Sequence, residues 1–152
     1  MQYPEPEICK QCSRVVLLEQ QARKAHGQLK AIIEYATCGI MLLDSEARIL
    51  YVNGYVSEAT GYNADELIGR SWFDFTHPDE TRFRRMLLER TLEQPGLLRN
   101  RGSLRFRSKP GMWILLGVRV LNLIDEPDIG VIIVYVSDET AQMSRYIGNR
   151  NG

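Results

Sequence analysis

The sequence has no excess of either charge. Nineteen basic and nineteen acidic residues cancel, so bulk electrostatics gives no reason to expect nucleic acid or a membrane surface as partner. Long apolar runs are missing as well. None approaches the length that spans a bilayer, and the amino-terminal residues, with Pro4 and Pro6, lack the form of a secretion signal. The expectation is a cytoplasmic protein. Cysteine is scarce: Cys9, Cys12 and Cys38 are too few for a disulfide framework. Cys9 and Cys12 make a C-x-x-C, but no second pair follows it. A structural zinc needs four ligands, so a metal here would require a second chain to complete the set; otherwise the two are plain thiols near the terminus. Histidine is limited to His26 and His77. There is no phosphate-binding G-x-x-x-x-G-K-[ST] loop and no nucleophile elbow. Asp44 and Glu66 do not make an acid–base pair, because Glu66 is placed to cap a helix. The chain reads as non-enzymatic.

The 152 residues are enough for one domain with a real core, and pattern is plentiful. From about residue 8 to 36 the apolar positions Val15, Leu18, Ala22, Ala25, Leu29, Ile32 and Ala36 alternate three and four apart. That is a heptad seam three heptads long, with Gln, Arg, Lys and Glu opposite. It predicts a helix that pairs with a second copy, or lies on its own domain, or both, with Gly39 available as a left-handed cap. Two short apolar runs, residues 40–43 and 49–52, then flank Asp44-Ser45-Glu46-Ala47, a hairpin signal. Both faces of the hairpin are apolar, Ile40 and Leu42 on one and Met41 and Leu43 on the other, so something should cover each side.

Short helices are expected at residues 53–62, closed by Gly61, and from Asn63, where Glu66 three residues on completes a capping-box pattern. The aromatic run Trp72-Phe73-Asp74-Phe75 should plug the interior. Pro78 suits the first turn of a longer helix, with Phe83, Met86, Leu87 and Thr91 on its inner side and Pro95-Gly96 ending it. The last third is strand: Leu104 and Phe106 alternate with Arg105 and Arg107, residues 112–123 form a long strand, and residues 130–137 a nearly continuous β-branched one. An exit helix should run from Ala141 to about Ile147. The order implies an α+β fold: a five-stranded antiparallel sheet with short helices on one face and an amphipathic N-terminal helix.

Several local marks then fall in one order: Gly39-Ile40, Asp44, Asn53, Thr60-Gly61-Tyr62, Asp65-Glu66-Leu67-Ile68-Gly69, His77-Pro78-Asp79, the Gly111 turn and Asp138-x-Thr140. Together, over roughly Ile32 to Thr140, they resemble the PAS domain family. The resemblance implies a PAS fold at residues 37–140, preceded by a dimerisation helix within 1–36 and followed by an exit linker from 141 to 152. It implies a sensory or dimerisation module, attached in cis to a histidine kinase, a cyclic-dinucleotide enzyme or a DNA-binding output domain. Asp138 and Thr140 match the family's signal-exit motif, with Glu139 in place of its usual apolar middle residue. Flavin-photoactive relatives carry a reactive thiol where Trp72 stands, which excludes a cysteinyl-flavin adduct. Haem-binding relatives often place a histidine where Phe83 stands, leaving only His77, a common helix start in the family.

No cofactor is therefore expected, although an unknown small molecule stays open. A pocket would lie between Phe83, Met86 and Leu87 on the long helix and Leu104, Phe106, Ile114, Leu116 and Val118 on the sheet, either filled by the core itself or holding a small apolar or mixed ligand. A homodimer is expected through Leu18, Ala22, Ala25, Leu29 and Ile32 of the helix and Met41, Leu43, Trp113 and Leu115 of the outer sheet face. Between Arg82 and Lys109 nine basic residues face only Glu89 and Glu93. That run suits a solvated edge strand whose charges block pairing, or a surface for an anionic ligand or acidic partner. No recognition helix accompanies it, which argues against nucleic acid. The alternatives to a sensory module are a haem- or flavin-bearing redox or gas sensor and a ligand-free interaction scaffold.

Overall fold

Helix-forming Gln, Arg, Lys, Leu and Ala dominate the first segment, and the computed structural model, which describes residues 7–142, forms α1 there, Glu7–Glu34. At 28 residues it is about 42 Å long at 1.5 Å per residue. The chain divides into two compact units between Glu34 and Tyr35. Within α1 the heptad positions Leu18, Ala22, Ala25, Leu29 and Ile32 are all exposed. The helix stops before Ala36, and Gly39 is not its cap. Gly39 instead opens strand β1, where a Cβ would overlap Val136 Cγ2; the glycine is needed for close approach between strands.

The hairpin forms as β1 (Gly39–Leu43) and β2 (Ile49–Val52). Asp44 shapes its link, its Oδ1 accepting from the N–H groups of Glu46 and Arg48, each at 2.9 Å, the local bonding that makes Asp a turn former. Ala47 adopts φ +63°, rare for a residue with a side chain, and its carbonyl accepts from Trp72 N–H at 2.9 Å. Helix α2 (Gly54–Thr60) is closed by Gly61 at φ +79°. Helix α3 (Ala64–Leu67) starts with Asn63 N–H donating to Glu66 Oε2 at 2.8 Å. A 3-10 turn, Trp72–Asp74, places Trp72 and Phe73 in the interior. Helix α4 (Pro78–Leu92) starts as expected with proline in its first turn.

Three strands follow: β3 (Leu98–Arg107), β4 (Trp113–Leu123) and β5 (Val131–Asp138), then a 3-10 turn, Thr140–Gln142. The rest of the expected exit helix lies outside the described residues. The sheet order is β2-β1-β5-β4-β3, all pairs antiparallel. The first and last strands therefore meet in the centre, which explains why β1 and β5 are so uniformly apolar. The core lies on one face, where Met41, Leu43, Leu104, Phe106, Ile114, Leu116, Val118, Ile132, Val134 and Val136 pack with Val56, Leu67 and the aromatic turn.

The faces of β1 are opposite to the expectation. Met41 and Leu43 are buried in the core, while Ile40 and Leu42 are half-buried on the other face. A strand with apolar residues on both faces gives no parity signal, and the registers Met41↔Val134 and Leu43↔Ile132 decide it. The outer face is thus formed by Ile40, Leu42, Leu121, Ile133 and Tyr135. Of the other outer-face candidates, Leu115 is buried outside the core cluster. Trp113 stays partly exposed at the start of β4, its ring 4.6 Å from that of His77.

Candidate functional site

The inner face of α4 carries charge. Glu80, Arg84, Leu87, Leu88 and Thr91 turn towards the sheet, and the expected pocket residues Phe83 and Met86 are 51% and 37% exposed. Glu80 is almost wholly buried and its Oε1 accepts from Arg105 Nε at 2.7 Å. Its Oε2 accepts from Arg105 N–H and lies 3.8 Å from Arg84 Nη2. Arg84 in turn donates to Arg101 O at 2.6 Å and Ser103 O at 2.5 Å. These bonds tie α4 to β3 and cover carbonyls of an edge strand that would otherwise invite pairing. The phase of Leu87, Leu88 and Thr91 carries back at helical spacing to Arg84 and Glu80. The more apolar Phe83 and Met86 lie off that phase and mask it in the sequence.

A cavity of about 60 Å³ lies between α4, the aromatic turn and the sheet. Of the expected pocket residues, Leu87, Leu104 and Val118 line it; Phe106, Ile114 and Leu116 are core residues away from its wall. Trp72, Phe73, Leu88, Val120, Arg84 and Arg101 complete much of the lining. The volume is well short of the ~150 Å³ that admits a benzene, so neither a flavin ring nor a haem fits this arrangement. Arg101 reaches the cavity because β3 bulges between Asn100 and Ser103, with Gly102 at φ +71°. The bulge puts both Arg101 and Leu104 on the inner side, breaking the strict alternation that a sequence pattern assumes. Burial, and then the like charges of Arg99 and Arg90, hold the Arg101 guanidinium below its ordinary pKa.

His77 serves structure. Its Nδ1 accepts from Asp79 N–H at 3.2 Å, capping α4. Among the described residues no cluster of three or more His, Cys, Asp or Glu side chains could hold a metal. Cys12 is exposed, and the Cys9 side chain lies outside the described residues. Glu66 joins Lys109 at 2.6 Å. That hydrogen bond, with the one from Asn63 N–H, lowers the Glu66 pKa.

On the opposite face the end of β5 forms a second feature. Asp138 Oδ1 accepts from Thr140 N–H at 2.9 Å and from Thr140 Oγ1, closing a tight turn. Glu139 N–H donates to Leu115 O at 2.7 Å. The Glu139 carboxylate lies back over the sheet, accepting from Ser103 Oγ at 2.5 Å. It rests on Gly117, where a Cβ would overlap Glu139 Oε1. A cleft of about 420 Å³ beside it is lined by Cys38, Asn100, Ser103, Arg119, Tyr135 and Ser137, among others. A charged residue in an apolar motif position is thus accommodated by a glycine on the neighbouring strand and a serine one strand further on.

A five-stranded antiparallel sheet of this order, with α2 to α4 on one face and an exit turn leaving the central strand, defines a class, and the comparisons agree with it. The family model described as PAS fold matches residues 27–138; the chain belongs to the PAS family. A PAS domain of an HTR-like protein from Haloarcula marismortui superposes with TM-score 0.68 at 20% identity, covering 79% of this chain and 96% of that one. A domain of the sensory box sensor histidine kinase/response regulator from Geobacter sulfurreducens gives 0.62 at 23% identity, covering 75% and 94%. Cell-division control histidine kinase PdhS of Brucella ovis is 43% identical over 53 residues, which is 34% of this chain and 5% of that protein. The chain therefore spans a small fraction of the curated relatives that it matches.

Proposed function

We propose that this chain is the sensory and dimerisation module of a cytoplasmic signal-transduction protein, non-catalytic itself and joined in cis to a histidine kinase. The observation that carries the reading is the exit of β5. The strand ends in the Asp138–Thr140 turn, and the turn is tied to β4 through Glu139 N–H and to β3 through Ser103, so a shift in the sheet moves the point where an output would attach. The partial similarity to PdhS and the likeness to a domain of a sensor kinase favour a kinase as that output. No described helix is long and apolar enough to cross a bilayer.

The homodimer of this reading uses the exposed α1 seam, Leu18, Ala22, Ala25, Leu29 and Ile32, and the outer sheet face. On that face Ile40 and Leu42 replace Met41 and Leu43 as contact residues. A seam with two alanines is thin, so the helix should pair weakly alone and gain from the sheet. The test is a fusion of residues 1–152 to a histidine-kinase core that lacks its own sensor. Autophosphorylation between protomers is expected, with loss of most activity in Leu29→Asp. Equal activity of both fusions would contradict the reading.

A further inference from the structure

The basic run between Arg82 and Lys109 is unevenly paired. Near the start of α4, Arg84 and Arg105 share Glu80, and Arg105 also lies 3.9 Å from Asp79. At the carboxyl end of α4 the cations meet only neutral groups. Arg99 Nη2 donates to Gln94 Oε1 at 2.8 Å, and Arg101 Nη2 donates to Thr91 Oγ1 at 2.6 Å. The Nε of each is buried without an acceptor. The Nη1 of each also lacks an acceptor among the described residues, but it is not buried, so a solute can reach it. Arg90, exposed in the last turn of the same helix, has no side-chain hydrogen bond or ion pair among the described residues. Glu89 and Glu93, the acids on this part of α4, pair with none of the three. Burial, then the charges of Arg99 and Arg90, lower the Arg101 pKa, so the three guanidinium groups stand in one another's field. The helix end offsets only about half a charge, and its carbonyls at Thr91 and Leu92 already accept from Asn122. Of the three only Arg101 lines the inner cavity. Arg90 and Arg99 set the cluster at the surface, where the end of α4 meets β3.

We propose that this surface binds a phosphate dianion, free or as the head of a phosphomonoester, on Arg90, Arg99 and Arg101. Three like charges held together without a carboxylate repel one another, and donors left without acceptors are costly. A single oxyanion relieves both. Phosphate suits the cluster better than a carboxylate does. It brings nearly two negative charges and three strong acceptor oxygens, against one charge and two oxygens. Guanidinium groups recognise such oxygens through their planar forks of donors. An acidic peptide suits it less, because successive side chains of an extended segment are spread about 3.3 Å apart, whereas the partners here, Thr91 and Gln94, lie within one helical turn of Arg90. Charge that only blocks edge pairing need not converge at all, and on this strand Arg84 already covers the carbonyls of Arg101 and Ser103. The site is separate from the α1 seam and from the exit turn, so the inference does not rest on the sensory reading.

Calorimetric titration and thermal melts of the 152-residue chain with inorganic phosphate, methyl phosphate, acetate and chloride, all sodium salts at equal ionic strength, test this. The work is done at about pH 8, above the second phosphate pKa of about 6. Phosphate and methyl phosphate are expected to bind one per chain and to raise Tm; acetate and chloride are expected to do neither. Equal affinities assign the site to the shared phosphate head. Binding of inorganic phosphate alone assigns it to the free ion, and tighter binding of methyl phosphate to an ester. Arg90→Gln and Arg99→Gln should each weaken phosphate binding by about tenfold, the worth of one charge-assisted hydrogen bond. Arg119→Gln, which removes an exposed charge from the outer cleft, should leave binding unchanged. The proposal is overturned if phosphate and methyl phosphate are both silent at millimolar concentration, or if acetate or chloride matches them. It is overturned too if the Arg90 and Arg99 variants bind as the parent does, or if Arg119→Gln weakens binding as much as they do, the mark of an adventitious ion only. Should Arg99→Gln melt early, Arg90→Gln decides, since that side chain has no partner to lose. Failure here leaves the kinase fusion untouched, because that readout depends on pairing of α1.

Discussion

Asn53 shows how much of the fold one residue can hold. It is 1% exposed, and its Oδ1 accepts from Ile40 N–H at 3.0 Å and Val56 N–H at 3.4 Å. Its Nδ2 donates to Cys38 O at 3.0 Å. One amide thus caps α2 and joins the start of β1 to the end of β2. Asn53→Ala should cost about 3 kcal/mol, one lost cap plus buried partners left unsatisfied. Urea unfolding monitored by circular dichroism measures it, and a loss under about 1 kcal/mol would show that water replaces the amide. Asn53 was legible in the sequence as the residue opening a helix; its bonds back to residues 38 and 40 were not, because they depend on strand register. Arg101 was hidden for a different reason. Its inward placement requires the Gly102 bulge, and Arg99, Arg101, Arg105 and Arg107 read in sequence as one continuous polar row.

The elements divide by how strongly their period is written. Helix α1 has a heptad and its span is read to within two residues; β4, with its long apolar run, and the β-branched β5 fall where expected. Helix α4 is correctly bounded by Pro78 and Pro95, but its face is misread because charged residues occupy the buried side. Inside-out patterning assumes that charge is solvated, and the Glu80–Arg84–Arg105 network removes that assumption by internal pairing. At the exit, the turn Thr140–Gln142 depends on Gly117 in β4. Gly117→Ala should push the Glu139 carboxylate off the sheet and break its bond with Ser103, leaving the core intact. Amide exchange at Glu139, whose N–H is held by Leu115 O, should then speed by about tenfold, while amides of β1 and β5 keep their protection. Unchanged exchange at Glu139 would mean that the carboxylate does not secure the turn.

For the molecule as a whole, a sheet apolar on both faces was visible in the sequence from residues 40–43, 113–121 and 131–136. The faces of β4 were legible, with Ile114, Leu116 and Val118 inward and Leu115 on the other side; those of β1 were not, since parity carries no information in a short run that is apolar throughout. The outer face presents Ile40, Leu42, Leu121, Ile133 and Tyr135, and α1 presents a heptad seam of leucine, isoleucine and alanine. We propose that these two surfaces are the contacts of a homodimer. Sedimentation velocity of the 152-residue chain at tens of micromolar tests that most directly. The account predicts a dimer, and a monomer when Leu29→Asp places a charge in the seam. A monomeric parent, or a dimer that ignores Leu29→Asp, would contradict it.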